Sequence, residues 1–179
     1  MKTVLVTGPI GGGKSEFCRY VAAKGYPVYD CDSRCKALYA SVPGLTQRVE
    51  EAIGAPFSRI GLIFSDARRR EAVEALVYPE LLQDFRAWRA ALRADIVFVE
   101  SAVALQKPLF DVRYDHVLLV SADYALRVAR NPKAAQRDAL QAFPAGRIDS
   151  VLENNGSLAD FHARIDRWLE VFGQTIKIS

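Results

Sequence analysis

Short apolar runs alternate with longer amphipathic stretches along most of the chain. Runs rich in β-branched and aromatic residues are typical of strands buried on both faces of a parallel sheet. The helical stretches that separate most of these runs are typical of crossovers between parallel strands. The pattern therefore predicts an α/β fold, a three-layer doubly wound parallel sheet with helices on both faces. The five predicted strands are Thr3–Val6, Pro27–Tyr29, Ile96–Val99, Val117–Val120 and Ser150–Leu152.

A glycine-rich motif follows the first predicted strand directly. Residues 8–15 read Gly-Pro-Ile-Gly-Gly-Gly-Lys-Ser and fill every fixed position of the phosphate-binding pattern G-x-x-x-x-G-K-[ST]. Glycines let backbone N–H groups converge on a phosphate, and the positive end of the following helix adds to the attraction. The motif predicts a nucleoside triphosphate site of the P-loop NTPase type, with Lys14 on the terminal phosphates and Ser15 as a ligand of Mg²⁺. A glycine-rich turn without a ligand is the alternative. The glycines expected to bind are Gly8, Gly11, Gly12 and Gly13.

The segment between the second and third predicted strands is much longer than an ordinary crossover. Its periodicity predicts helices over Ser33–Ala40, Gly44–Ile53 and Asp66–Arg93, the last of them interrupted at Pro79. We expect this helical insertion, at about residues 33–94, to pack over the carboxyl ends of the strands, where α/β proteins bind ligands. It would then hold the phosphoryl acceptor. A purely structural helical hairpin is the alternative.

The last predicted helix begins after Ser157. Serine is a favourable N-cap, and Asp160 lies at the third position beyond it, where an acidic side chain can bond back to the cap. The apolar side of this helix consists of Leu158, Phe161, Ile165, Trp168, Leu169 and Phe172.

Two carboxylates follow the second predicted strand, in the sequence Tyr29-Asp30-Cys31-Asp32. We expect this strand to end beside the phosphate loop, so that a carboxylate there faces the γ-phosphate. Phosphoryl transfer to an alcohol needs a group that orients the hydroxyl and accepts its proton. Asp32 is the candidate base, and Asp30 is expected to be structural, as a cap of the next helix. Capping is also the alternative role for Asp32.

Glu100 ends the third predicted strand, close to the position expected for Mg²⁺. Two interpretations are open for this residue. It could hold a water molecule on the metal, or it could be an exposed loop carboxylate.

A stretch rich in arginine and alanine, Ala122–Arg147, follows the fourth predicted strand. A mobile cap over the nucleotide would have this composition, because its arginines must move onto developing phosphate charge. We place this lid at about residues 123–147, with Arg127, Arg130 and Arg137 as its candidate catalytic residues. An ordinary surface helix with solvated arginines would look much the same.

The bulk composition narrows the class of protein. A chain of 179 residues that is 50% hydrophobic and 25% charged predicts a single globular domain over residues 1–179. A net charge of +3 does not indicate a nucleic-acid partner. The three cysteines form no paired C-x-x-C motif, which argues against a disulfide framework or a zinc site. With no apolar run of membrane-spanning length and no signal-peptide pattern, we expect a cytoplasmic protein without a membrane partner.

Taken together, these motifs resemble the dephospho-CoA kinase family, which uses ATP to phosphorylate the ribose 3′-hydroxyl of dephospho-CoA in the last step of coenzyme A biosynthesis. Residues 7–15 look like the family's T-G-G-I-G-S-G-K-S loop, and residues 27–32 are similar to its second strand ending in D-x-D. Residues 127–130 resemble the R-x-x-R run that opens its lid, and Arg137 with Gln141 fits an R-x-x-x-Q pair. Residues 151–157 look like its V-I-x-N-x-G-S segment near the adenine site.

This resemblance implies ATP and Mg²⁺ as the nucleotide and metal, dephospho-CoA as the small-molecule substrate, and Asn154 as a nucleotide-binding residue. Two positions depart from the family pattern. Tyr78 stands before Pro79 where the family's L-x-x-H-P has histidine, and Gln106 stands where a glutamate is expected. The lid is also short. Another small-molecule kinase of the same architecture, or a non-catalytic nucleotide-binding protein, is therefore the alternative.

Overall fold

The structure is a computed structural model, and it describes residues 1–106, 114–137 and 143–178. The described residues group into two compact units. The first contains Met1–Val28, Ala94–Gln106 and the described part of residues 113–179, and the second contains Tyr29–Arg93. No helix within the described ranges is long and apolar enough to cross a membrane.

Five parallel strands form one sheet in the order β2-β3-β1-β4-β5. Neighbouring residues on β1, such as Val4 and Leu5, point to opposite faces of the sheet and are both fully buried. This double burial explains why the strands read as continuous apolar runs. The strands are β1 (Lys2–Thr7), β2 (Val28–Asp30), β3 (Ile96–Glu100), β4 (His116–Ser121) and β5 (Ser150–Glu153). The fold prediction and all five strand predictions are therefore confirmed.

The strand order corrects the expectation that the second strand ends beside the phosphate loop. Strand β3 lies between β1 and β2, with Val6 of β1 in register with Glu100 of β3. The strands whose ends adjoin the end of β1 are therefore β3 and β4, and not β2. An order of strands depends on long-range packing, which no local pattern records.

The α-helices of the first unit are α1 (Lys14–Ala23), α5 (Tyr124–Arg130), α6 (Lys133–Arg137) and α7 (Leu158–Ile178). Helices α1 and α7 pack aromatic side chains into the same core as the strands. Phe17 of α1 and Phe161 of α7 belong to one buried cluster with Phe98 of β3. Ser157 Oγ accepts from the Asp160 N–H while Asp160 Oδ2 accepts from the Ser157 N–H, so the predicted cap is present. Leu158 is 54% exposed, so its assignment to the apolar side is wrong.

The second unit contains α2 (Cys31–Ser41), α3 (Leu45–Ile53), a 3₁₀ segment (Phe57–Phe64) and α4 (Ala67–Ala90). The three predicted helices are confirmed, but the predicted interruption at Pro79 is wrong, because α4 runs through it. Buried side chains recur every four residues on both sides of the proline, at Val73, Val77, Leu81 and Phe85. This continuous packed stripe outweighs the cost of the missing N–H at Pro79.

Candidate active site

The turn between β1 and α1 has the backbone that the phosphate-binding pattern requires. Gly8 has a φ of +141°, and a Cβ there would lie 2.0 Å from the Val120 carbonyl oxygen. Any larger residue would be strained and would collide with β4. The Gly12 N–H donates to the Pro9 carbonyl oxygen at 3.1 Å, which closes the turn. The loop is therefore a tight backbone cradle that leads directly into the positive end of α1.

Lys14 folds back over the same loop. Its ammonium group donates to the carbonyl oxygens of Gly8 at 2.9 Å and of Pro9 at 3.1 Å. The positive charge is thus held at the cradle by the loop itself. A phosphate in the cradle would be met by this charge and by the N-terminal N–H groups of α1.

Ser15 and Glu100 lie together. The Ser15 hydroxyl donates to Glu100 Oε1 at 2.8 Å, which brings the first turn of α1 to the end of β3. Hydroxyl and carboxylate oxygens are donors that suit Mg²⁺, which usually takes few protein ligands and keeps several waters. In the described ranges no three His, Cys, Asp or Glu side chains gather as a metal site, and a Mg²⁺ bound mainly by phosphates and water needs no such group. The pair therefore fits the metal that the motif implies.

Arg127 and Arg130 both lie against the phosphate loop. Arg127 is buried, at 8% exposure, with its guanidinium donating to Ala122 O at 3.0 Å and Ile10 O at 3.5 Å. Arg130 donates to Gly11 O at 3.4 Å and Asn154 O at 2.9 Å. Both residues belong to α5, and Arg137 ends α6. The side chain of Arg137 and the lid positions 138–142 lie outside the described residues.

Asn154 lies beneath the phosphate loop. It follows β5 directly, is 8% exposed, and donates its side-chain amide to Gly12 O at 3.2 Å. Gly13 has a φ of +113°, and a Cβ there would lie 2.3 Å from Asn154 Nδ2. The Asn154 side chain therefore contacts the backbone of the phosphate loop.

Asp30 and Asp32, at the start of the second unit, differ in their relation to α2. Asp30 is the N-cap of α2, because its carboxylate accepts from the N–H groups of Asp32 and Ser33 at 3.0 and 3.2 Å. Asp32 is exposed in the first turn of the same helix. The alternative that Asp32 caps α2 is therefore wrong, and its carboxylate is not consumed by capping.

A partly buried polar cluster that the sequence did not reveal joins the start of α2 to α4. Asp84 Oδ2 on α4 accepts from Tyr29 Oη at 2.7 Å and from Arg34 Nε at 2.8 Å. Burial and the neighbouring Asp84 carboxylate raise the pKa of Tyr29 well above its ordinary value, so the phenol stays a donor. Asp84 lies 50 residues from Arg34, and no local motif records such a contact.

Two further groups lie in the second unit. Burial, with a smaller contribution from the Asp32 carboxylate, raises the pKa of the Cys35 thiol to about 11. Burial and the nearby Glu74 raise the pKa of Tyr78, the residue that replaces the expected histidine. Both side chains are therefore neutral near pH 7 and serve as packing or hydrogen-bonding groups there.

A second contact that was not predicted from the sequence joins the turns after β4 and β5. The Asp123 N–H donates to Asn155 Oδ1 at 2.8 Å, and Asn155 Nδ2 donates to Asp123 Oδ1 at 3.1 Å. Ser121 is in register with Glu153, so each residue lies two positions beyond paired strand ends. This equal offset on two neighbouring strands was a signal in the sequence that could have identified the pair.

A sequence model of the dephospho-CoA kinase family matches residues 2–160. The dephospho-CoA kinase of Porphyromonas gingivalis is 34% identical over 139 residues, which cover 73% of this chain and 68% of that protein. The enzyme of the same name from Thermus thermophilus is 30% identical over 87% of this chain and 84% of its own length.

Solved structures give the same fold. The crystal structure of TT1252 from Thermus thermophilus has a TM-score of 0.78 and 29% identity, and it covers 94% of this chain and 96% of its own. Shikimate kinase from Acinetobacter baumannii has a TM-score of 0.56 at 15% identity, covering 98% of this chain and 94% of its own, which shows a shared fold only. The family model and the curated relatives together show that this chain belongs to the dephospho-CoA kinase family of ATP-dependent kinases.

Proposed function

We propose that this protein transfers the γ-phosphoryl group of ATP to the ribose 3′-hydroxyl of dephospho-CoA, the last step of coenzyme A biosynthesis. The observation that carries the proposal is the pairing of Ser15 with Glu100 beside a complete glycine cradle, in a member of this family. Because its substrate ATP is a cytoplasmic metabolite, we place the reaction in the cytoplasm.

The phosphate loop binds the triphosphate in this proposal. The backbone N–H groups of Gly8, Gly11, Gly12 and Gly13 surround the phosphates, and Lys14 contributes its charge at their outer end. Ser15 would hold Mg²⁺ directly, and Glu100 would hold it directly or through a water. When bound, the metal supplies positive charge to the phosphate oxygens.

Asp32 is the proposed base. Its carboxylate accepts the proton of the acceptor hydroxyl as the new oxygen–phosphorus bond forms and the bond to the β-phosphate oxygen breaks, leaving ADP. Two observations support this role: Asp32 is exposed, and Asp30 satisfies the helix cap in its place. The helical insertion at about residues 33–94 is the proposed holder of the acceptor.

Arg127, Arg130 and Arg137 are the proposed source of the remaining positive charge. Positive groups at the transferred phosphoryl stabilise the transition state most when they are held in place before the reaction. The contacts of Arg127 and Arg130 with the loop carbonyls support this, because they hold two guanidinium groups next to the cradle. The lid at about residues 123–147 would bring Arg137 to the same charge.

The test is product formation from ATP, MgCl₂ and dephospho-CoA. Chromatography against authentic coenzyme A and its 2′-phosphate isomer establishes both the transfer and its position. A parallel panel with adenosine, pantetheine and shikimate, followed by ADP release, reports other alcohols. Phosphorylation of another alcohol with no formation of coenzyme A would overturn the assignment of dephospho-CoA as the substrate. ATP binding without turnover of any acceptor would overturn the assignment of kinase activity.

A further inference from the structure

Asn154 is fixed on three sides by hydrogen bonds. Its backbone N–H donates to the Ser121 carbonyl at 2.8 Å, and its own carbonyl accepts from Arg130 Nη2 at 2.9 Å. Its side-chain amide donates to the Gly12 carbonyl at 3.2 Å. Because the residue is buried and both of its backbone groups are anchored, the amide is a rigid donor under the phosphate loop.

The bond to Gly12 also determines the direction of the next N–H group. The carbonyl of Gly12 and the N–H of Gly13 belong to one trans peptide, and in such a unit they point in opposite directions. A donor that holds the Gly12 carbonyl on the side of Asn154 therefore turns the Gly13 N–H away from Asn154. Rotation of this peptide would be easy without that bond, because glycine flanks both sides of it.

Gly13 is shaped to allow this contact. Its φ of +113° and the 2.3 Å distance from its ideal Cβ position to Asn154 Nδ2 leave no room for a side chain. The side chain of Phe161 closes the same space at 3.5 Å from that position. The glycine is thus needed for the approach of an amide from behind the loop, in addition to any need for space around a phosphate.

We propose that Asn154 is a positioning residue, which acts on the nucleotide by fixing the Gly12–Gly13 peptide of the phosphate loop and not by contact with the adenine. The inference rests on the proposed function only in that the loop binds a triphosphate. It changes the role that the family resemblance implies for Asn154, from a residue of the adenine site to a support of the loop. Its effect is therefore exerted on the phosphates, whatever base the nucleotide carries.

A comparison of two ligands tests this, by calorimetry without any acceptor. Mg·ATP has a base and a ribose, whereas Mg·tripolyphosphate has neither. The variant is Asn154→Leu, which keeps the shape of the side chain and removes the donor. The matched control is Asn155→Leu, because Asn155 is adjacent and exposed and its amide bonds Asp123 instead of the loop.

We expect Asn154→Leu to raise the dissociation constants of Mg·ATP and Mg·tripolyphosphate by the same factor, about tenfold, as for the loss of one buried hydrogen bond. The control variant should bind both ligands with dissociation constants close to those of the wild type. Weaker ATP binding with unchanged tripolyphosphate binding would overturn the proposal, since Asn154 would then contact the nucleoside. Unchanged binding of both ligands would overturn it as well.

Circular dichroism and the melting temperature without ligand check that the variant folds. If Asn154→Leu does not fold, Asn154→Ser is used with the same criterion of equal factors. Failure of the kinase activity is a separate result, because a protein that binds both ligands but makes no coenzyme A still reports on Asn154. A wild-type protein that binds neither ligand overturns both proposals.

Discussion

Ser15 Oγ lies 2.8 Å from Glu100 Oε1, so the last residue of the phosphate-binding pattern is bonded to the last residue of β3. The pairing follows from sheet register, because Val6 of β1 is opposite Glu100 and the loop leaves β1 one residue later. Two strand ends and one helix start thus bring a hydroxyl and a carboxylate together. Their oxygens are the kind that hard divalent cations prefer.

Replacing Glu100 with glutamine should weaken Mg²⁺ binding without moving Ser15. The glutamine carbonyl still accepts the Ser15 hydrogen bond, but the negative charge is gone. We expect about a 10–100-fold loss in metal affinity or activity, as for other residues that support a metal. The measurement is the Mg²⁺ concentration that gives half-maximal rate. Glu153→Gln, an exposed carboxylate at the end of β5, is the control, and equal behaviour of the two variants would contradict the assignment.

Replacing Asp32 with asparagine should remove the proposed base and preserve nucleotide binding. We expect kcat to fall by about a hundredfold or more, with little change in the KM for ATP. The matched control is Asp30→Asn, because asparagine is also a good N-cap and keeps the start of α2. Steady-state kinetics with both variants separates the two aspartates. Near-normal turnover by Asp32→Asn would remove Asp32 from the mechanism.

Replacing Gly13 with alanine should destabilise the protein and weaken ATP binding. The new Cβ would meet Asn154 Nδ2 at 2.3 Å, and the φ of +113° is strained for any L residue. We expect the free energy of unfolding to fall by about 1–3 kcal/mol. Thermal melting measures this, with Gly146→Ala as control, because a Cβ at Gly146 meets no atom within 4 Å.

The double variant Gly13→Ala with Asn154→Ala separates the destabilisation caused by the steric clash from that caused by the strained φ at position 13. It removes the clash and retains the backbone strain, so it should recover part of the melting temperature lost by Gly13→Ala, after correction for Asn154→Ala alone. No recovery would mean that strain alone accounts for the loss.

The sequence was sufficient for elements whose signal is local. Buried strands such as Ile96–Glu100 carry continuous apolar runs, and Ser157 with Asp160 carries a complete cap. The predicted helix interruption at Pro79 was wrong because the unfavourable effect of a proline can be read from the sequence, whereas the packing of Val77 and Leu81 on either side of it cannot.

The candidate site was predicted where it follows a motif and missed where it depends on long-range contacts. The loop and the base candidate could be identified from residues 8–15 and 29–32. The contact of Asn154 with Gly12 spans 142 positions, and that of Asp84 with Tyr29 spans 55. Contacts of this kind depend on strand order and helix packing, which are set by the whole fold.

His116 should make the protein less stable as the pH falls from about 7.5 to 5.5. Its ring packs against Trp168 and Phe172, and Nε2 lies 2.7 Å from Ser150 Oγ. Burial lowers the pKa of His116 below its ordinary 6.5, although the Asp149 carboxylate partly offsets this. As the pH decreases, the unfolded chain therefore takes up the proton first, so the free energy of unfolding decreases as the pH drops through 6.5 and levels off below the pKa of the folded state.

Denaturant unfolding across this range should show a flatter dependence of stability on pH for His116→Phe than for the wild type. The pKa values of Asp160 and Asp166 are lowered, so these two carboxylates change the stability only below about pH 4 and do not contribute to the slope in this range. An NMR titration of the His116 ring at or above 6.5, or equal slopes in both proteins, would contradict this prediction.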